Sequence, residues 1–249
     1  MHSGRAPTLF LSDLHLSPAS PAAVAAFEAF ARGPARNAAA VYVLGDLFDV
    51  WVGDDQLRSR FYRRIGQQLR AIHDAGAALY VARGNRDFLI GEGFAGATGA
   101  TLLDERTVLD VGGAPTLLMH GDELCTDDVA YQQFRARTRT PQWRAWILSK
   151  PYWQRRAIGL YLRLRSRRAT AHKDELIMDV SADAVTAAFR QHGVRRLIHG
   201  HTHRPARHQL TVDGVPRERF VLAAWHDDGH YLEVDDAGAR VHRIAGGAS

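Results

Sequence analysis

The stretch Val41-Tyr42-Val43-Leu44-Gly45-Asp46-Leu47-Phe48-Asp49 decides how the rest of the chain is read. Four apolar residues, three of them β-branched or aromatic, run directly into Gly-Asp, the pattern of a buried strand that ends in a tight turn with a carboxylate at its tip. The same pattern recurs. Thr8–Leu11 leads to Asp13 and His15, residues 79–82 to Gly84-Asn85, residues 116–119 to His120, and Leu197-Ile198 to the histidines at 199, 201 and 203. Five strand ends therefore carry oxygen and imidazole donors, with no thiolate among them.

A chain of 249 residues, 46% of them hydrophobic, can bury a substantial core as one domain with an inserted subdomain. Residues 1–7 and 246–249 read as loose ends. The single cysteine, Cys125, rules out an internal disulfide and fits a reducing compartment. No signal peptide is evident, and no apolar run approaches the roughly 18 residues that a membrane span needs. A cytoplasmic protein, soluble or attached to a membrane surface, is expected. The net charge of +5 is unevenly spread: residues 129–173 hold twelve of the 32 Lys and Arg residues and no Asp or Glu, leaving 20 basic against all 27 acidic residues elsewhere. Such a block points to an anionic partner.

Between the strand ends the pattern alternates with helices. Ser20-Pro21 suits an N-cap and first helical position, Val24, Phe27 and Phe30 form an apolar face, and Gly33-Pro34 stops the helix. Phe61, Ile65, Leu69 and Ile72 define a second helix that ends near Gly76. This alternation predicts an α/β core with its ligands at the carboxyl ends of the strands. A hairpin joined through Gly112-Gly113 follows, leading to His120-Gly121-Asp122. Residues 125–177 differ in composition. They hold three of the five Trp residues, and Trp153, Ala157, Leu160, Tyr161 and Leu164 fall on one helical stripe. They are expected to form a helical lid over a core made of residues 1–124 and 178–249. Residues 182–192 read as a return helix. The last segment, with turns at Asp213-Gly214, Asp227-Asp228-Gly229 and Asp236-Ala237-Gly238, reads as hairpins that add a second sheet.

A two-metal hydrolase needs a carboxylate that bridges the ions, imidazoles for each ion, and an open position for water. Asp13, His15, Asp46 and His203 can close around one ion, and Asp46, Asn85, His120 and His201 around the other. Asn85 coordinates through a neutral oxygen and so adds no charge that repels a phosphate.

In order, these blocks are Asp13-Leu14-His15, Gly45-Asp46, Gly84-Asn85-Arg86-Asp87, His120-Gly121-Asp122 and Gly200-His201-Thr202-His203. Together they resemble the signature of the calcineurin-like metallophosphoesterases: D-x-H, G-D, G-N-[HR]-[DE], H and G-H-x-H. The resemblance implies an αββα sandwich with an inserted helical lid. Longer matches cover nearly the whole chain: Trp51 with Gly53-Asp54-Asp55, then Phe88-Leu89, 124–128 and 177–180. These are similar to the branch of that family that acts on UDP-2,3-diacylglucosamine in the Gram-negative lipid A pathway. That likeness implies two Mn2+ ions per chain and hydrolysis to UMP and 2,3-diacylglucosamine 1-phosphate, with a dinuclear-metal-activated water attacking the α phosphorus. It also implies peripheral contact with the cytoplasmic face of the inner membrane. A monomer is expected. The implied catalytic residues are Asp46, Asn85, Arg86 and His120. The implied substrate contacts are Asn85, Arg86, Asp128, Ser166, Thr170, Lys173 and His201, with Thr170 standing where the branch has Asn. Arg86 occupies the position where many relatives place a proton-donating His. Arginine stays charged and donates no proton, so it suits a pyrophosphate, whose phosphate leaving group needs none.

Each residue also has a plainer reading. Singly, the Asp and Asn residues are turn formers and the histidines incidental; jointly they are a ligand set. His199 reads as a packing residue, and Asp49, Asp87 and Asp122 as residues that orient neighbours or cap turns. Cys125 reads as a packing residue. The basic aromatic block has a competing reading as a nucleic-acid surface, which would make the chain a phosphodiesterase or nuclease. No nucleic-acid partner is expected, because the apolar stripe and the resemblance favour a lipid.

Overall fold

The structure is a computed structural model, described for residues 6–171 and 179–246, with the backbone alone at 167–171. Its first half alternates strand and helix: β1 (Thr8–Leu11), α1 (Pro21–Arg32), β2 (Ala40–Leu44), α2 (Arg60–Asp74), β3 (Ala78–Ala82), α3 (Glu92–Thr98) and β4 (Thr101–Leu102). The hairpin β5 (Thr107–Val111) and β6 (Ala114–Leu118) follows. Three helices come next, α4 (Val129–Thr138), α5 (Pro141–Leu148) and α6 (Tyr152–Ala171), and then α7 (Ala182–His192) and β7 (Arg196–His199). Two further hairpins, β8 (Ala206–Val212) with β9 (Val215–Val221) and β10 (Gly229–Asp235) with β11 (Gly238–Ile244), complete the fold.

The strands form a six-stranded sheet, β11-β10-β1-β2-β3-β4, and a five-stranded sheet, β5-β6-β7-β9-β8. Side-chain alternation with period two sorts the core into layers. Leu9, Leu11, Val41 and Val43 face α1 and α2 with Phe27, Phe30, Ile65 and Leu69. Their neighbours Phe10, Tyr42 and Leu44 face the other way, against Leu118, Ile198 and Phe220 of the second sheet. Leu117 and Leu197 look outward to Val185 and Phe189 of α7. Helix, sheet, sheet and helix are thus stacked in four layers, as the resemblance implied.

Strand register positions the loops. β1, β2 and β3 are parallel, with Leu11 opposite Val43 and Leu44 opposite Ala82, so their carboxyl ends finish side by side. β6 and β7 are likewise parallel, with Leu118 opposite Ile198.

Two expectations need correction. The closing hairpins do not both belong to the second sheet: β8 and β9 do, but β10 pairs antiparallel with β1 and carries β11 into the first sheet. The stretch Asp227-Asp228-Gly229 is therefore a crossover between sheets and not a hairpin turn. Ser20 sits at the N-cap of α1 but makes no side-chain cap; its hydroxyl donates to the carbonyls of Ser17 (3.1 Å) and His15 (3.3 Å), bracing the loop that carries His15.

The three inserted helices are fastened to the core by arginines. Arg155, buried, donates to the Val52 carbonyl at 2.7 Å and pairs with Asp55. Arg144 donates to the carbonyls of Phe88 (2.9 Å) and Ile90 (2.7 Å), and Arg163 pairs with Asp49 at 2.7 Å. Part of the basic block is thus consumed inside the molecule. The apolar stripe on α6 faces outward, with Trp153 69% exposed and Leu164 56% exposed. Among the described residues, no helix is long and apolar enough to cross a membrane.

Candidate metal centre

The loops after β1 and β2 extend the parallel pairing past the strands: the main-chain N–H groups of Asp13, His15 and Leu16 donate to the carbonyls of Gly45, Asp46 and Leu47 at 2.9–3.1 Å. Asp87 gathers a third loop. Its buried carboxylate accepts from the N–H of Gly84 (2.8 Å), Asp46 (3.3 Å) and Phe48 (3.3 Å). Burial, with the Asp46 carboxylate close by, pushes its pKa up to about 7. Close approach dictates the glycines here: a Cβ at Gly84 would overlap the Asp46 carboxylate, and one at Gly200 would overlap Asp13 and Ser12.

Five predicted ligands have left-handed backbone: Asp13 (φ 55°), His15 (48°), Asp46 (52°), His201 (70°) and His203 (55°). Among the described residues the one other non-glycine with positive φ is Asp213, in a hairpin turn. Such conformations persist where the surroundings over-determine them, and they gather at functional sites.

The donors converge. Asn85 Oδ1 lies 2.9 Å from His120 Nε2 and 3.0 Å from His201 Nδ1. His15 Nε2 and His203 Nε2 face each other at 3.2 Å, and Asp13 Oδ1 is 3.3 Å from His203 Nε2. Asp46 lies between, with Oδ1 3.7 Å from His120 Nε2 and Oδ2 3.9 Å from His15 Nδ1. Two groups have ligand atoms within 4.8 Å of one another: Asp13, His15 and His203, and Asp13, Asp46 and His120. All seven predicted donors thus meet at one place.

Their chemistry fits divalent cations. Asp13 Oδ1 and His15 Nδ1 are buried without a hydrogen-bond partner, a costly state that a cation relieves. Burial pushes His15 and His201 down to about 3, which leaves them neutral and able to ligate. Burial also opposes charge on His120, but the carboxylates of Asp46, Asp13 and Asp122 outweigh it and raise its pKa, as expected of a position where positive charge is welcome. The hydrogen bond of His120 Nδ1 to the Leu44 carbonyl (2.9 Å) leaves Nε2 turned to the centre.

Around the donors lies a cluster that the sequence did not announce. Asp122 accepts from Tyr131 Oη (2.5 Å), Arg135 Nε (3.0 Å) and Arg139 Nη2 (3.4 Å). Arg139 also donates to the Gly84 carbonyl at 2.9 Å, and the Tyr131 ring stacks on His201 at 6.0 Å. The cluster joins α4 to two metal-facing loops. The nearest signal for it was the acid next to His120-Gly121. His199 is fully buried, with Nδ1 donating to the Gly200 carbonyl at 2.9 Å, in keeping with its packing reading.

The predicted substrate contacts divide. Arg86 donates its main-chain N–H to Asp46 Oδ1 (2.8 Å), and its Nη1 reaches Ser166 Oγ on α6 at 3.4 Å. Asn85 and His201 belong to the donor cluster. Asp128 is the N-cap of α4, accepting from the Tyr131 N–H at 3.1 Å. Thr170 is on the backbone of α6 but its side chain lies outside the described residues, as does the whole of Lys173.

Residues 6–205 match the family described as calcineurin-like phosphoesterase, and the chain belongs to that family. The family and the donor clusters together make the centre a divalent-metal site. Within the family, the chain is 46% identical over 231 residues to a protein of Cellvibrio japonicus named UDP-2,3-diacylglucosamine hydrolase, covering 93% of this chain and 96% of that one. It is 47% identical over 241 residues to a protein of the same name from Chromohalobacter salexigens, covering 96% and 97%. A third, from Escherichia fergusonii, is 45% identical over 227 residues and covers 91% and 94%.

Proposed function

We propose that this protein hydrolyses the pyrophosphate bond of UDP-2,3-diacylglucosamine to UMP and 2,3-diacylglucosamine 1-phosphate. The shared name of the relatives points to the substrate. The observation that carries the reading is Arg86, whose backbone holds Asp46 while its guanidinium reaches Ser166 on the apolar-faced helix α6. One cation thus stands between the metal donors and the lipid-suited insertion, where the phosphates of a lipid nucleotide lie. Its Nε is buried without a hydrogen-bond partner, which suits it to bind a phosphate oxygen and stabilise the charge of the transition state.

Two Mn2+ ions are assigned to the chain; Asp13, His15, Asp46 and His203 would hold one, and Asp46, Asn85, His120 and His201 the other. When bound, they would supply Lewis acidity and bring the pKa of a water toward neutrality. Asp46, between the two donor sets, would serve both ions, Asn85 would contribute an uncharged oxygen, and Arg86 steadies the departing phosphate, which leaves without needing a proton. Residues 125–177 serve as the lid. Trp146, Trp153, Leu160, Tyr161 and Leu164, all exposed, suit acyl chains and peripheral contact with the cytoplasmic face of the inner membrane. Asp128, Ser166, Thr170 and Lys173 are assigned to substrate binding with Asn85, Arg86 and His201, and the protein acts as a monomer. The nucleic-acid alternative is disfavoured because Arg135, Arg139, Arg144, Arg155 and Arg163 are engaged within the molecule and do not form a phosphate-tracking surface. The test is release of UMP from UDP-2,3-diacylglucosamine by purified protein with added Mn2+. Absence of release with every divalent metal, or faster cleavage of oligonucleotides, overturns the proposal.

A further inference from the structure

A cavity of about 280 Å³, lined by Asp179, Thr202, Arg204, His208, Arg219 and Val221, opens at the carboxyl end of β7. Val221 pairs in register with His199, the last residue of that strand, and Thr202 separates the donors His201 and His203. The cavity therefore begins one residue from each donor cluster, at the kind of strand end where α/β folds gather ligands. The contact to α6 lies elsewhere, through Arg86 on the loop after β3 and Ser166 on α6 itself.

The lining mixes donors and an acceptor. Arg204 and Asp179 pair at 2.9 Å, setting a guanidinium beside a carboxylate. Arg219, partly buried, brings Nη1 to 3.5 Å from His199 Nε2, and the exposed Pro205 and Ala206, with the edge of Val221, add an apolar surface. A site for bare phosphate gains nothing from a carboxylate in its wall. A uracil edge does, because its carbonyl oxygens accept from guanidinium N–H groups while its imide N–H donates to a carboxylate. Its ring can lie on the apolar surface. The volume is just under the range of about 300–1,000 Å³ usual for small-molecule sites and suits a nucleoside rather than a diacyl sugar.

We propose that this cavity seats the uridine half of the substrate, with Arg219 and Arg204 reading the carbonyls of the base and Asp179 its imide N–H. The inference rests on the hydrolytic reading above and adds the subsite that selects the nucleotide.

The probes are UMP, CMP and inorganic phosphate, titrated calorimetrically into Mn2+-loaded protein. UMP is expected to bind at least about tenfold more tightly than either of the others, since a site built around specific hydrogen bonds rejects ligands that leave its polar groups unpaired. Arg219→Met is expected to weaken UMP binding about tenfold, and Asp179→Asn, at a half-exposed position that tolerates the change, to narrow the preference for UMP over CMP by about fivefold, both with unchanged metal content. UMP binding no tighter than phosphate, or both variants binding UMP as the unaltered protein does, overturns the inference. Turnover of UDP-2,3-diacylglucosamine, measured in parallel, separates the two claims: hydrolysis without cavity-dependent UMP binding defeats this inference alone, whereas no hydrolysis by the unaltered protein defeats the functional reading itself.

Discussion

Asn85 and Arg86 are adjacent in sequence but have separable duties. Asn85 Oδ1 meets two imidazoles, whereas the Arg86 guanidinium lies between the donors and α6, with Nε 3.8 Å from Asp46 Oδ2 and Nη1 3.4 Å from Ser166 Oγ. Asn85→Ala is expected to lose metal affinity and turnover together. Arg86→Ala is expected to keep its metal content and lose about 10²–10³-fold in kcat, the usual cost of removing one charge-stabilising donor. Metal analysis beside steady-state kinetics checks both, and an equally active Arg86→Ala removes the role given to that guanidinium. Cys125 offers a simpler check. Burial, with Asp122 as the largest carboxylate influence, pushes its thiol up to about 12, so thiolate is scarce at pH 8. Iodoacetamide should leave native protein unlabelled and modify it once urea has unfolded it. These residues were legible because each ligand follows an apolar run. The left-handed backbone at Asp13 and His203 was not legible, since Asp and His carry no mark of φ until neighbouring loops impose it.

Helix α6 does two jobs on two faces. Inward, Arg155 joins Asp55 and the Val52 carbonyl; outward, Trp153 and Leu164 meet solvent. Arg155→Met breaks a largely buried pair and is expected to cost about 3 kcal/mol, measurable as a lower urea midpoint at unchanged slope. Trp153→Ser combined with Leu164→Ser removes exposed apolar area without touching that anchor, so stability should hold. Sedimentation with phosphatidylglycerol vesicles should then fall at least about tenfold. Vesicle binding unaffected by the double change argues against membrane contact through this face. The helical period announced the stripe, and composition announced the charge, but neither showed where the arginines end. A guanidinium reaching a carbonyl, as in Arg144, looks in sequence like one reaching a phosphate.

Across the whole molecule, two parallel strand sets facing each other explain why donors spread from Asp13 to His203 meet. Period-two strands alternating with amphipathic helices announced an α/β core, and the family resemblance, not the periodicity, implied its four layers. The assignment of the last two hairpins could not. β9 joins the second sheet by pairing with β7, and β10 joins the first by pairing with β1, contacts between residues distant in sequence that local turn signals do not encode. The same long-range closure brings Asp179 beside Arg204 next to the centre. The most direct measurement is anomalous diffraction at the manganese edge from crystals grown with Mn2+. Two peaks about 3.5–4 Å apart, with the Asp46 carboxylate between them and Asn85 and His120 on one side, Asp13, His15 and His203 on the other, are the expected result. A single peak, or none among these residues, contradicts the dinuclear centre.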